Sequence, residues 1–253
     1  MTHSYQKMQQ YILTHSDVFL PNAMEEMNQI ENVLGFHAER ERIVVVPNAI
    51  DMANAQTAVE QPVSEEYEKY RDWLICVGRI DTRKNQLKLL EAIKDSDYKL
   101  LLVGKCSPGQ KAYFDKVMKA IEGNSNIEYI EQIENSKLYQ LYKVCKVSVL
   151  PSWFETPGLV SLEAAAMRCN IVVSDKGTTK DYFHECAYYC DVMSSASIRE
   201  QIDRAYQEPF NEKLREMIMS EYTWQKAAKK TVEGYEKALL IRSKHDRSKI
   251  GVQ

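Results

Sequence analysis

From about residue 73 onward, short runs of aliphatic and β-branched residues alternate with stretches of helical periodicity. This alternation restricts the possible folds more than any other feature of the chain. The runs are Trp73–Val77, Lys99–Val103, Ile127–Ile130, Val147–Leu150, Ile171–Ser174 and Ala187–Cys190. Between them lie amphipathic segments. One is Ser136–Lys146, with Leu138, Leu141, Tyr142 and Cys145 on one face. Alternation of this kind predicts βαβ units and an α/β fold with a mostly parallel sheet flanked by helices. With 253 residues, 44% of them hydrophobic, the chain can bury the core of one large domain or two small ones. Sheets of this type bind ligands at the carboxyl ends of their strands. The Val147–Leu150 strand points that end at the turn Glu155–Gly158.

The first fifty residues read differently. A polar helix over Gln6–Ser16 leads to the strand-like Asp17–Pro21. A second helix runs to about Val33, and a strand over Ile43–Val46 ends at Pro47-Asn48-Ala49-Ile50-Asp51. Residues 52–69 are polar and read as an irregular connection between two bodies. The boundaries expected from this reading are 1–50 and 51–253. Near the end, Trp224, Ala227, Ala228, Val232, Tyr235 and Leu239 recur at helical spacing over Thr223–Leu240, a face that must pack on something. A charged tail follows Arg242.

Net charge is −3 with both signs mixed, so no basic stripe points to nucleic acid. The six cysteines are scattered without a CxxC pair, as expected for free thiols in a reducing cytosol. The start carries no apolar run of secretory type, and no segment approaches the roughly 18 apolar residues of a membrane span. A cytoplasmic protein is the expectation.

Three loops at strand ends carry the chemistry. In Phe154-Glu155-Thr156-Pro157-Gly158-Leu159-Val160-Ser161-Leu162-Glu163 two carboxylates stand eight positions apart across a strand-to-helix turn. Thr156 is expected to cap the helix and Pro157 to occupy its first turn. The free N–H groups near Gly158 then favour an anion. Glu155 is expected at the mouth of the site. Glu163, a turn and a half into the helix, can accept hydrogen bonds from a diol such as a ribose. In Val77-Gly78-Arg79-Ile80-Asp81-Thr82-Arg83-Lys84-Asn85, Lys84 is expected in the first turn of the next helix. Arg83 and Lys84, as cations, oppose the helix dipole there unless an anion binds beside them. A guanidinium fork and an ammonium together suit a diphosphate. The third loop, Val103-Gly104-Lys105-Cys106-Ser107-Pro108-Gly109-Gln110-Lys111, nearly reads as a P-loop, but Gln110 stands where the lysine must follow the second glycine. The turn Asp175–Tyr182 suits either sugar hydroxyls or a capped helix start. His184, alone in the central region, is read as structural.

Together these residues resemble glycosyltransferase family 4, retaining enzymes of the two-domain GT-B fold. The likeness rests on Gly78-Arg79 with Lys84-Asn85, on Leu102-Val103-Gly104, and on Glu155 and Glu163 within their shared motif. Pro47–Asp51 is similar to the family's interdomain linker, and the helix around Trp224 and Tyr235 to its returning segment. The resemblance implies a Rossmann-like sheet forming the C-terminal, donor-binding half of GT-B, with residues 1–50 a remnant of the acceptor domain. It implies that Arg79 and Lys84 bind the diphosphate of a nucleotide-sugar such as a UDP- or GDP-sugar. Glu163 holds the ribose, and Glu155 touches hydroxyls of the transferred sugar. Backbone groups at Gly78 and at Gly158, Leu159 and Val160 assist, and the backbone near Ile133 meets the base. No metal or other cofactor is implied. The acceptor is a glycan or a lipid-linked glycan, in polysaccharide or cell-envelope synthesis, with peripheral membrane association through the first domain left open. Ala49 and Thr156-Pro157 depart from the family pattern, and most of the acceptor domain has no counterpart here, so this chain alone is expected to bind donor without efficient transfer. The alternatives are a non-catalytic nucleotide-sugar-binding protein and a glycoside hydrolase or phosphorylase using Glu155 and Glu163.

Overall fold

The computed structural model describes residues 3–250, and side chains over 4–244. In chain order the helices are α1 (His3–His15), α2 (Met24–Leu34), α3 (Met52–Glu60), α4 (Glu65–Glu68), α5 (Gln86–Ile93), α6 (Lys111–Ile121), α7 (Asn135–Val144), α8 (Leu159–Ala166), α9 (Thr179–Phe183), α10 (Ser195–Gln207), α11 (Glu212–Glu221) and α12 (Trp224–Ile250). The strands are β1 (Leu74–Val77), β2 (Leu100–Val103), β3 (Ile127–Ile130), β4 (Val147–Leu150), β5 (Asn170–Ser174) and β6 (Tyr188–Cys190). The chain forms two compact units, residues 50–221 and a second unit in which residues up to 49 join those from 222 onward.

In the larger unit six strands form one sheet in the order β3-β2-β1-β4-β5-β6, every pairing parallel. The four- and five-residue strands β1, β2, β4 and β5 are buried throughout because helices cover both faces, which is why they read as continuous apolar runs. Leu74, Leu100, Leu102, Val147, Val149 and Val172 form one core with Leu89 and Ile93 of α5 and Ile198 and Ile202 of α10. Each such side chain contributes about 1.5–3 kcal/mol by leaving water. The strand order reverses between β1 and β4. A crevice opens at the carboxyl ends of such a reversal, since the two connections leave in opposite directions.

Residues 52–69, expected to be irregular, instead form α3 and α4. Asp51 caps α3 by accepting from the backbone of Asn54 at 3.1 Å, and Ala55 and Ala58 are its buried residues. Lys143 of α7 donates to the carbonyls of Ala58, Val59 and Gln61, closing the other end. Alanine gives little hydropathy contrast, so the helical period was muted.

In the smaller unit the two strand-like segments pair in parallel as an isolated bridge, Phe19 with Ile43, extended by bonds from Val44 to Phe19 and from Val46 to Pro21. Phe19, Met27, Ala38 and Ile43 form its core. The buried Glu31 accepts from Ala38 N at 2.9 Å. Helix α12 leaves most of the apolar face read from its spacing open to solvent. Trp224, Ala228, Val232, Tyr235 and Leu239 are exposed, while Ala227 and Gly234 are buried. A Cβ on Gly234 would stand 2.4 Å from Leu20 Cδ2, so the helix packs on its small residues because only they allow that approach. The helix also continues beyond Arg242 to Ile250.

Candidate functional site

The carboxyl ends of β1 and β4 carry the two principal loops. After β1, Asp81 caps a single 3-10 turn (Thr82–Lys84), its carboxylate accepting from Lys84 N at 3.0 Å and from Ser107 Oγ at 2.8 Å. Asn85, at φ 60°, then interrupts the chain before α5 begins. Lys84 therefore precedes the helix instead of lying in its first turn. The P-loop-like segment serves this turn: besides Ser107, Gln110 Oε1 accepts from Thr82 N. Gly104 is required by contact, since a Cβ there would lie 2.1 Å from the Gly78 carbonyl oxygen.

After β4, the helix starts later than expected. Gly158, at φ 80°, is the N-cap of α8, so neither Thr156 caps it nor Pro157 opens it. The N–H groups of Leu159 and Val160 lie in the first turn, where a helix has no internal acceptors.

The two loops meet through an ion pair. Lys84 Nζ lies 2.5 Å from Glu155 Oε1, and Arg83 Nη1 lies 3.4 Å from the same oxygen. Glu155 is only 5% exposed, so it lies beneath the loop and not at the mouth of the site. Glu155 thus serves as an internal counter-ion to both Arg83 and Lys84, one carboxylate against two cations that keep further N–H donors. A buried ammonium left without a partner costs several kcal/mol, which is what this pair avoids. Further bonds join the loops: Trp153 N donates to Arg83 O at 2.8 Å, Arg83 Nη1 donates to Phe154 O at 2.7 Å, and Asn85 Nδ2 donates to Pro151 O and Val192 O. Beyond β5, Glu155 pairs as a bridge with Gly177, and Thr178 N donates to Glu155 O, which holds the glutamate from its other side.

Glu155 Oε2 lies 3.5 Å from the point a Cβ on Gly158 would occupy, which places that oxygen beneath the α8 N-terminus. Glu163 sits in the second turn of α8, partly buried, and burial pushes its carboxyl up to about 7. Tyr139 and Tyr142 of α7 are raised too, first by burial and then by the neighbouring Glu163. Gly78, Arg79 and Ile133 line one hollow of about 300 Å³ over the ends of β1, β2 and β3, together with Gly104, Lys105 and Leu138. Arg79 is exposed, whereas Lys84 is buried. Lys84 runs alongside Gly78, its Cε 3.4 Å from a Cβ position on that glycine. The expected residues thus fall into two neighbouring groups, Gly78–Arg79–Ile133 and Lys84–Glu155–Gly158.

His184 is exposed, at φ 45°, and its carbonyl accepts from Tyr189 Oη. The six cysteines are free. Among the described residues no group of three or more His, Cys, Asp or Glu is arranged to hold a metal ion, and no helix is long and apolar enough to cross a membrane. The supporting parts of Asp81, Ser107 and Asn85 were not anticipated. Asp81 three positions before Lys84 was a readable capping signal, but the partners of Ser107 and Asn85 come from other strands.

Residues 59–224 match the family model "Glycosyl transferases group 1". The "Serotype-specific mannosyltransferase WbdA" of Escherichia coli is 23% identical over 181 residues, covering 70% of this chain and 22% of that protein. A "D-inositol 3-phosphate glycosyltransferase" of Pseudarthrobacter chlorophenolicus is 22% identical over 83% of this chain and 53% of its own length. The chain therefore spans between about a fifth and a half of these curated relatives. Among solved structures, a glycosyltransferase of Rickettsia africae matches with a TM-score of 0.77 and 16% identity, covering 94% of this chain and 68% of that one. A sucrose-phosphate synthase of Thermosynechococcus elongatus matches with a TM-score of 0.76, 18% identity and coverages of 94% and 62%. The parallel six-stranded sheet is thus of the kind found in GT-B glycosyltransferases.

Proposed function

The chain belongs to the glycosyl transferases group 1 family, and we propose that it carries the donor-binding site of a retaining, family-4-type hexosyltransferase. The donor is a nucleotide-sugar, and the acceptor a glycan or lipid-linked glycan. The observation that carries this reading is the meeting of the β1 and β4 loops at the strand-order reversal, where the Lys84–Glu155 ion pair lies next to Gly78, which with Arg79 and Ile133 lines the neighbouring hollow.

In this reading Arg79 and Lys84 hold the donor diphosphate. The first-turn N–H groups at Leu159 and Val160 add donors whose dipole favours the same charge. Glu155 keeps Lys84 in place through Oε1, which leaves Oε2, beneath Gly158, for a hydroxyl of the transferred sugar. Glu163 receives the ribose diol, and the base lies over Ile133. As the bond between sugar and diphosphate breaks, negative charge grows on the leaving phosphate while the sugar becomes cationic. Fixed positive charge already in position stabilises that state without reorganising. These protein cations serve where other transferases use a divalent metal.

A thermal-shift series with UDP, GDP and ADP tests the reading. A ligand at one hundred times its dissociation constant adds about 2.7 kcal/mol to stability. One of the three is expected to raise the melting temperature well above the value with the matching nucleoside. No shift with any of them overturns the donor-site reading.

A further inference from the structure

Two large side chains beside this site take no part in the donor reading. Trp153 is 44% exposed and Phe154 39% exposed, on the loop immediately before Glu155. The loop is held from both sides. Arg83 receives the Trp153 N–H and donates to the Phe154 carbonyl, while Glu155 is fastened to Gly177 and Thr178 on the β5 side. Two aromatic rings are therefore presented to solvent by a braced backbone. By contrast Trp73 is 7% exposed.

We propose that Trp153 and Phe154 form a stacking platform for a saccharide ring of the acceptor. A pyranose has an apolar C–H face of about the area of an aromatic ring, and those hydrogens carry partial positive charge that suits the negative face of the ring. Its hydroxyl edge needs donors and acceptors at the rim. The Arg83 guanidinium is bonded to the backbone of the same loop at the Phe154 carbonyl, its side chain is 41% exposed, and its donors exceed those used by Phe154 and Glu155. The ring is the acceptor's and not the donor's because Glu155, assigned to the donor sugar, lies beneath the loop while the aromatics face solvent. A saccharide reaching them comes from outside and arrives next to the buried Lys84–Glu155 pair. This inference rests on the donor-site reading, which supplies the sugar to be transferred.

The test uses the full chain in a Trp224→Phe background, so that Trp153 is the solvent-facing tryptophan. Mannotetraose and maltotetraose are titrated as probes and followed by tryptophan emission and calorimetry, with UDP and GDP titrated in parallel. A saturable emission change with at least one tetrasaccharide is expected. Trp153→Ala should weaken saccharide binding at least tenfold, Trp153→Phe should keep it within threefold, and nucleotide affinity should stay within twofold in both. Nucleotide binding without any saccharide response overturns the inference alone, as does a Trp153→Ala protein that binds saccharide like its parent. Binding of neither ligand overturns the donor-site reading and this inference with it.

Discussion

Glu163 combines a partly buried carboxylate with a pKa pushed up to about 7, and two predictions follow from it. Its folded pKa lies above the ordinary value of 4.5, so its contribution to stability is fully present below that value and lost as pH rises through 7. Glu163→Gln is therefore expected to come close to the parent at about pH 4 and to exceed it at pH 8 by roughly 2–3 kcal/mol in the absence of ligand. Urea midpoints at the two pH values check this; equal midpoints at pH 8 would remove the burial argument. A ribose diol donating to the carboxylate favours the ionised form, so nucleoside affinity should rise from pH 6 to pH 8 in the parent and stay flat in Glu163→Gln. The cations give a different signature. Arg79→Ala should weaken a nucleoside diphosphate by about 1.5–3 kcal/mol, the value of a hydrogen bond to a charged group, while leaving the bare nucleoside nearly unchanged. Equal losses for both ligands would mean that Arg79 shapes the hollow without touching phosphate.

The elements matter through what they force together. The 3-10 turn after β1 and the loop after β4 meet in one buried ion pair, so their stability is shared. Glu155→Leu leaves the Lys84 ammonium buried without a partner and should cost about 3–5 kcal/mol. The double change Lys84→Met with Glu155→Leu removes both charges and should recover most of that loss, though not nucleotide binding. Chemical denaturation of both proteins checks the coupling. A double variant no more stable than Glu155→Leu alone would show that Glu155 matters for its backbone bridge to Gly177 and not for its charge. Helix α8 shows the same dependence on neighbours, since its start is set by Gly158 and not by the threonine two positions earlier.

On the scale of the whole molecule, both α1 and α12 of the smaller unit present large apolar residues to solvent, among them Tyr5, Met8, Tyr11 and Ile12 on the first and Trp224, Val232, Tyr235 and Leu239 on the second. Contiguous apolar patches promote association. Sedimentation should therefore show concentration-dependent self-association that Val232→Lys with Leu239→Lys abolishes, and a monomer at all concentrations in the parent would contradict it. The sequence by itself determined the sheet. Six runs of alternating apolar segments fell within a residue of β1 to β6 at most ends, because a strand covered on both faces must be apolar along its whole length. It also named the glycines, cations and carboxylates that lie at the ends of β1 and β4, because the strand-to-helix turns are local. The tertiary structure decided what those groups do to one another. Lys84 and Glu155 lie seventy-one positions apart, and nothing local to either announces that one neutralises the other. The buried side of α12 was likewise undecidable from its own periodicity. The apolar stripe and the small-residue stripe both satisfy a helical period, and only the approach of Leu20 to Gly234 selects between them.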